Sequence, residues 1–195
     1  MGGIAGCSHF STKKYSQYSE GTWQGKALIR DKVRSKSAIA NLKIKAVDGQ
    51  KVRIDLVSPV GAHLGSLLLV GDRFEYLNVQ DKTYQSGQAT RDSLASLLYI
   101  PLHPSAFYNL LFEKPMADKN WSCTSNEKGF LVSCKDLKAK LDIEWKGREG
   151  EKRTIGIDHA KGSVQLNLYD FEAGVSDPDK AFQLTVPESF RRLPI

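Results

Sequence analysis

Along NLKIKAVDGQKVRIDLV, apolar and polar residues change places at every step. Leu42, Ile44 and Ala46 alternate with Lys43 and Lys45. After Asp48-Gly49, Val52, Ile54 and Leu56 alternate with Lys51, Arg53 and Asp55. Period two marks a strand with one covered face and one wet face. A three-residue connection, Asp48 to Gln50, keeps both apolar sets on one side, and Gly49 supplies the positive φ that such a loop needs. The pattern recurs at Leu137, Ala139, Leu141, Ile143 and Trp145, again at Val164, Leu166 and Leu168, and finally at Phe182, Leu184 and Val186 before Pro187. Candidate strands fall near 25–33, 36–47, 50–58, 65–70, 73–79, 82–86, 119–125, 130–136, 138–146, 152–158, 163–171 and 181–186. One of these is too weak to form, which leaves roughly 11. Antiparallel hairpins with one dry face imply a single, strongly curved sheet.

One segment breaks the alternation. TRDSLASLLYIPLHPSAFYNLLFEKP carries Leu94, Leu97 and Leu98, then Leu102, Ala106, Phe107, Leu110 and Leu111, at helical spacings. Thr90 is placed to cap a first helix. Pro104 suits the first turn of a second, Pro101 separates the two and Pro115 stops the second. A helical pair inserted among strands predicts a sheet whose concave face is covered by helices. Most of these leucines read as plain core between helix and sheet; the contact need not be closed to a ligand.

Hydrophobic residues make up 41% of the 195-residue chain. That is enough for one domain with a real core, and no apolar run reaches the roughly 18–20 residues that cross a bilayer. The net charge of +6 is compatible with nucleic acid or an anionic membrane surface. It equally fits scattered solvent-facing lysines, since no block of like charge occurs. No RNA-binding aromatic signature, zinc-finger spacing or helix-turn-helix pattern is found, so no nucleic-acid partner is expected. His9, His63, His103 and His159 are dispersed, without metal-site spacing, and no nucleophile elbow or phosphate loop occurs. No metal, cofactor or enzymatic activity is therefore expected.

The three cysteines divide as one plus two. In WSCTSNEKGFLVSC, a turn centred on Lys128-Gly129 sets Cys123 opposite Cys134. Cβ atoms of opposed strand residues lie about 4.5–5.5 Å apart, near enough for a disulfide in an oxidising compartment. Two buried thiols in a reducing cytosol are the alternative. Cys7 is left over, behind Ile4-Ala5-Gly6 and ahead of a polar stretch from Ser8 that reads as a tether. Domain boundaries are thus expected at 1–22 for the leader remnant and tether and 23–195 for the folded body. Ile-Ala-Gly-Cys resembles a bacterial lipobox. On that resemblance Cys7 becomes the mature N-terminus, carrying a diacylglycerol thioether and an amide-linked acyl chain. Only Met1-Gly2-Gly3 precede the Ile-Ala-Gly-Cys stretch, so the charged and apolar regions of a signal peptide are missing. Gly6 occupies the position where a myristoylation signal needs Ser or Thr.

The stretch from Ile54 to Pro115, opening IDLVSPVGAHLGSLLLVGDRFEYLNV, resembles the LolB family of outer-membrane lipoprotein receptors, and more loosely the LolA carriers that supply them. The shared order is a strand, a Ser-Pro-Val-Gly turn, a leucine-rich strand, a strand bearing Tyr76 and a short strand at Tyr84. A helix, the Pro101-Leu102 break and a second helix follow. The likeness covers about a third of the chain, with the closing Phe182-to-Pro187 rhythm beyond it. It implies an unclosed β-barrel, of about eleven strands in that family, with helices over its mouth. The implied protein is a monomeric, non-enzymatic lipoprotein, anchored in the outer membrane of a Gram-negative bacterium and facing the periplasm. It would accept acylated lipoproteins from a LolA-like periplasmic carrier, sheltering acyl chains such as palmitate in an apolar cavity, and insert them into outer-membrane lipid.

Carried onto this chain, Val60, held by Pro59 and Gly61, matches the exposed apolar residue of the family's insertion loop. Valine stands where the family has leucine; the bland reading is an ordinary turn with a half-buried valine. Cavity lining is expected from the strands at Leu42, Ile44, Ile54, Leu56, Leu67, Leu69, Phe74, Tyr76, Leu141, Ile143, Trp145, Leu166 and Leu168. The helices would add Leu94, Leu97, Leu98, Phe107, Leu110 and Leu111. The alternative is an envelope lipoprotein on the same scaffold that binds another lipid, a glycolipid or a protein partner.

Overall fold

The computed structural model describes residues 12–116 and 118–194, with only the backbone described at Ser96 and Leu97. Strands β1 (Glu20–Asp31), β2 (Lys36–Val47), β3 (Lys51–Val57), β4 (His63–Val70), β5 (Arg73–Asn78) and β6 (Thr83–Gln88) form a first meander. Helices α1 (Arg91–Leu98) and α2 (Pro104–Leu111) follow. A second meander runs through β7 (Trp121–Ser125), β8 (Leu131–Asp136), β9 (Leu141–Glu149), β10 (Lys152–His159) and β11 (Gly162–Ala173). Among the described residues these join into one sheet of 12 strands, ordered β12-β6-β5-β4-β3-β2-β1-β11-β10-β9-β8-β7, in which β12 is the two-residue strand Arg191–Arg192. The two edges, β12 and β7, do not pair, so the curved sheet stays unclosed.

The seam of the two meanders is β1 against β11, antiparallel from Gly21↔Ala173 to Asp31↔Gly162. The β2–β3 connection is the three-residue loop after Val47↔Lys51, with Gly49 at φ 67°. Alternation holds along each long strand. Ala40, Leu42, Ile44 and Ala46 are buried on the concave side, as are Leu141, Ile143 and Trp145. Cys123 and Cys134 face each other in the β7–β8 ladder and are joined by a disulfide.

Three segments differ from the expected elements. Residues 137–140, expected to lead into the strand at 138–146, form a turn with Leu137 exposed, and β9 starts at Leu141. The span 181–186 forms no strand. After a short helix α3 (Pro178–Ala181), the chain crosses the convex face, where Phe182, Ala181 and Val175 cover Leu68. Arg53 holds this crossing by donating to the carbonyls of Ala181 (3.2 Å) and Gln183 (2.8 Å). Apolar alternation at 182, 184 and 186 reports a dry side, and here the dry side is the back of the sheet. The twelfth strand instead lies at 191–192, parallel to β6. The described part of the expected tether is docked: Tyr15, in a single 3-10 turn, is completely buried, and β1 begins at Glu20. Cys7 and the rest of residues 1–11 lie outside the described residues. No described helix is long and apolar enough to cross a membrane.

Candidate functional site

The concave face of β1–β5, β10 and β11 and the inner sides of α1 and α2 enclose an apolar cavity of about 400 Å³. Eleven of the expected lining positions meet there: Leu42, Ile44, Ile54, Leu56, Leu67, Tyr76, Leu98, Phe107, Leu110, Leu111 and Leu166. Leu69, Phe74, Leu94, Leu141, Ile143, Trp145 and Leu168 do not line it; all seven sit in closed core. The side chain of Leu97 is outside the described residues.

The space exists because small residues stand where large ones would close it. Ala27 pairs with Ala40 across β1–β2, and Ile29 with Ala38. Gly65 faces Leu56, and a Cβ there would stand 2.5 Å from the Leu77 carbonyl oxygen. All six line the cavity. Sequence reading sought the wall among bulky side chains and so missed the residues that make the void; alanines at paired strand positions are the signal that was available.

One end of the barrel is plugged. Trp23 packs edge-on against Phe112 (ring centroids 5.4 Å apart) and Tyr15 (5.8 Å), with Phe171 at 5.0 Å from it. These rings fill the space beneath the β2–β3 end of the sheet. Behind them Arg153, wholly buried, donates to Glu113 Oε1 (2.8 Å) and lies over the Tyr15 ring at 4.5 Å. Burial raises the Tyr15 phenol to about 12, so the plug stays neutral there. The other end is open. Its rim carries Ala38, Gln80 and the half-exposed Tyr99, which ends α1 in the left-handed region at φ 61°.

Side chains fasten the start of α1 and the end of α2 to the sheet. Thr90 caps α1 through a reciprocal box with Ser93. Arg91 then reaches the opposite sheet edge, 2.5 Å from the buried Asp136. Although burial raises the Asp136 carboxyl, the N–H of Ala139, the Arg91 guanidinium and the N–H of Lys138 together hold it below its ordinary value. At the end of α2, Tyr108 donates to the Gln50 carbonyl (3.3 Å), Lys114 pairs with Asp48, and Glu113 takes Arg148 (3.1 Å) and Arg153.

Val60 is 91% exposed. Its turn is rigid. Gly61 N–H donates to the Ser58 carbonyl (2.9 Å), and Ala62 N–H donates to Ser58 Oγ (3.0 Å). Pro59 in the second position fits this turn class, and Gly61 has φ 89°, open to glycine at no cost. The three expected loop residues therefore form one outward knuckle.

A Ser–His–Asp grouping lies on the convex face but is arranged for structure. Asp55 accepts from Ser66 Oγ (2.5 Å), not from His63, and Ser66 has no exposed surface. A general base needs its carboxylate on the imidazole. No cluster able to hold a metal occurs among the described residues.

No protein-family model matches the sequence, and no curated protein matches it either. Solved structures do share its shape. A LolA superfamily protein from Nitrosomonas europaea superimposes with a TM-score of 0.55 over 88% of this chain and 94% of that one, at 9% identity. A DUF1329 family protein from Desulfovibrio piger gives 0.56 over 87% and 93%, at 12% identity. A domain described as an outer membrane lipoprotein-sorting protein, from Vibrio parahaemolyticus, gives 0.51 over 83% and 88%, at 9% identity. At these identities the likeness is one of fold: this chain has the open-barrel architecture found in the LolA superfamily.

Proposed function

We propose that the protein is a non-enzymatic acyl-chain acceptor of the bacterial envelope, working as a LolB-type receptor. It takes lipoproteins from a LolA-like periplasmic carrier and passes them to outer-membrane lipid, itself anchored through Cys7. The observation that carries this reading is the apolar cavity, open at one end and plugged at the other, beneath two helices. A methylene takes about the 30 Å³ that a water takes in the liquid, so the cavity holds about a dozen carbons. Burying that many contributes roughly 10 kcal/mol before the costs of association. Such binding holds a chain yet releases it to a bilayer, which offers the same burial without enclosure. Transfer then runs by relative affinity and needs no nucleotide.

Val60 supports the delivery step. A valine held outside the fold gains only where it can be buried, by about 1.5 kcal/mol. The test mixes the purified protein with a LolA-like carrier loaded with a labelled, acylated lipoprotein. Label should pass to this protein and then to membranes. Val60→Glu should accept label normally but fail to deliver it. No acceptance at all would overturn the reading.

Cavity size favours a second reading at one point. Space for about a dozen carbons suits one acyl chain better than the three of a mature lipoprotein. A single-chain lipid or glycolipid ligand is the form this reading takes. Competition between a triacylated lipopeptide and a free fatty acid for the cavity separates the two.

A further inference from the structure

No described residue that lines the cavity is an Asp, Glu, Lys, Arg or His. Polar side-chain atoms enter the lining at four places, Tyr76, Asn78, Gln80 and Tyr99. Three of them follow one another along the chain. β5 keeps Phe74 in closed core, turns Tyr76 and Asn78 into the cavity wall, and leads on to Gln80 at the rim. Two residues of a strand advance about 7 Å, so this wall grades from apolar to polar on its way to the mouth. The other strands offer the cavity only alkyl side chains and Gly65.

The polar groups are not equally free. Asn78 Nδ2 donates to Asp81 (2.9 Å) and Asn78 Oδ1 accepts the Asp81 N–H (3.1 Å), so this amide is spent on the turn after β5. The Tyr76 phenol has no hydrogen-bond partner among the described residues, although it is half-buried against the core. Burial, then Tyr99 and Asp81, raise it above its ordinary value, so it remains a protonated donor. A donor shut away from water without an acceptor is costly to leave so. Tyr99 stands by it at the end of α1, held in a backbone region that a non-glycine residue enters at a cost. Charged groups at this end stand outside the lining. Asp81 and Lys82 are in the turn beyond β5. Tyr99 packs on Gly162, where a Cβ would stand 3.2 Å from the Tyr99 carbonyl oxygen. Beside Gly162 are Lys161, whose N–H donates to His159 Nδ1 (3.2 Å), and Lys32, paired with Asp158 at 2.7 Å.

We infer that Tyr76 is a head-group subsite of the cavity: its phenol donates to an uncharged carbonyl oxygen, so the ligand is an acyl chain tied up as an ester or amide, in preference to a free fatty acid. An ionised carboxylate would meet one neutral donor here, with no cation in the lining and Asp81 close by, a setting that disfavours charge. An ester or amide carbonyl takes the same hydrogen and brings no charge to desolvate. Free fatty acids still enter by their chains, less tightly. The inference rests on the acyl-chain reading of the cavity and deepens it by naming the linkage. It holds for a lipoprotein and for a single-chain neutral lipid alike.

The test is displacement of a bound hydrophobic dye from the full chain by three probes sized to about a dozen carbons: 1-dodecanoylglycerol, dodecanoate and dodecane. At neutral pH the ester should bind at least tenfold more tightly than dodecanoate. As pH falls toward about 4.3, where a carboxyl takes up its proton, the two affinities should converge while that of the ester stays level. Tyr76→Phe keeps the ring and removes the hydroxyl. It should lower the ratio of ester to dodecane affinity about two- to tenfold, the worth of one neutral hydrogen bond. Dodecanoate binding as tightly as the ester at neutral pH, or an unchanged ratio in Tyr76→Phe, would overturn the inference and leave the cavity reading standing. The pH comparison needs only the wild type, so it decides the matter even where the variant fails to fold. Binding of none of the three probes would sink the cavity reading and this inference together. A triacylated lipopeptide that displaces the ester makes a lipoprotein the source of the linkage, and one that does not makes a free neutral lipid the source; both results support the subsite.

Discussion

Glu113 serves two guanidinium groups with one carboxylate oxygen, in a place largely shut off from water. Arg153 has no exposed side-chain surface and Arg148 keeps 12%. Removing the carboxylate charge leaves both cations uncompensated, which costs about 3–5 kcal/mol for a broken buried pair. Glu113→Gln should therefore lower stability by that amount in urea unfolding, and loosen the N-terminal segment that Arg153 holds through the Lys13 carbonyl. No pattern in the sequence foretold this cluster, because its members are 113, 148 and 153 and only the fold brings them together. Val60 is the opposite case. Ser58-Pro59-Val60-Gly61 states its own geometry, since a proline and a glycine at those places define a tight turn whatever lies around it. What the four letters leave open is exposure, which depends on the turn standing clear of the rest of the body.

At the scale of elements, α1 is held by a bridge that pH can cut. The folded environment lowers the Asp136 carboxyl below its ordinary 3.8. A depressed carboxylate stabilises the fold above its unfolded value, and that contribution is lost as pH falls through the folded value. Stability from this bridge is thus intact at neutral pH and disappears below about 3.8. Asp136→Asn should remove that part of the acid dependence, read as a flatter melting-temperature profile below pH 3.8 than the wild type shows. Local signals served the elements well. The caps and prolines that mark α1 and α2 act within a few residues, and period-two alternation is a property of each strand. They failed at 181–186, where alternation was genuine but the covering partner was the convex face. They also failed at Tyr15, where an aromatic in a polar segment is the barrel's plug. In both cases the deciding contact lies more than a hundred residues away.

At the scale of the molecule, the sheet curls, one end fills with rings and the other stays open. The curled sheet follows from hairpin strands with one dry face, while its unclosed form was legible only through the resemblance to the LolB family. The cavity was only half legible. Wall residues such as Leu42, Ile54 and Phe107 follow from strand and helix periods, but the void depends on Ala27 opposite Ala40, a cross-strand coincidence that appears once the β1–β2 register is known. That pair also gives the sharpest test. Ala40→Phe puts a ring into the space without disturbing the sheet's hydrogen bonds, and filling a void tends to hold or raise stability. The measurement is a fluorescence titration of wild type and Ala40→Phe with a fatty-acid probe, alongside thermal melts. A saturable one-to-one complex in the wild type, weakened at least tenfold in a variant that melts no lower, is the expected result. Absence of saturable binding by the wild type, or equal affinity in the filled variant, would contradict the account.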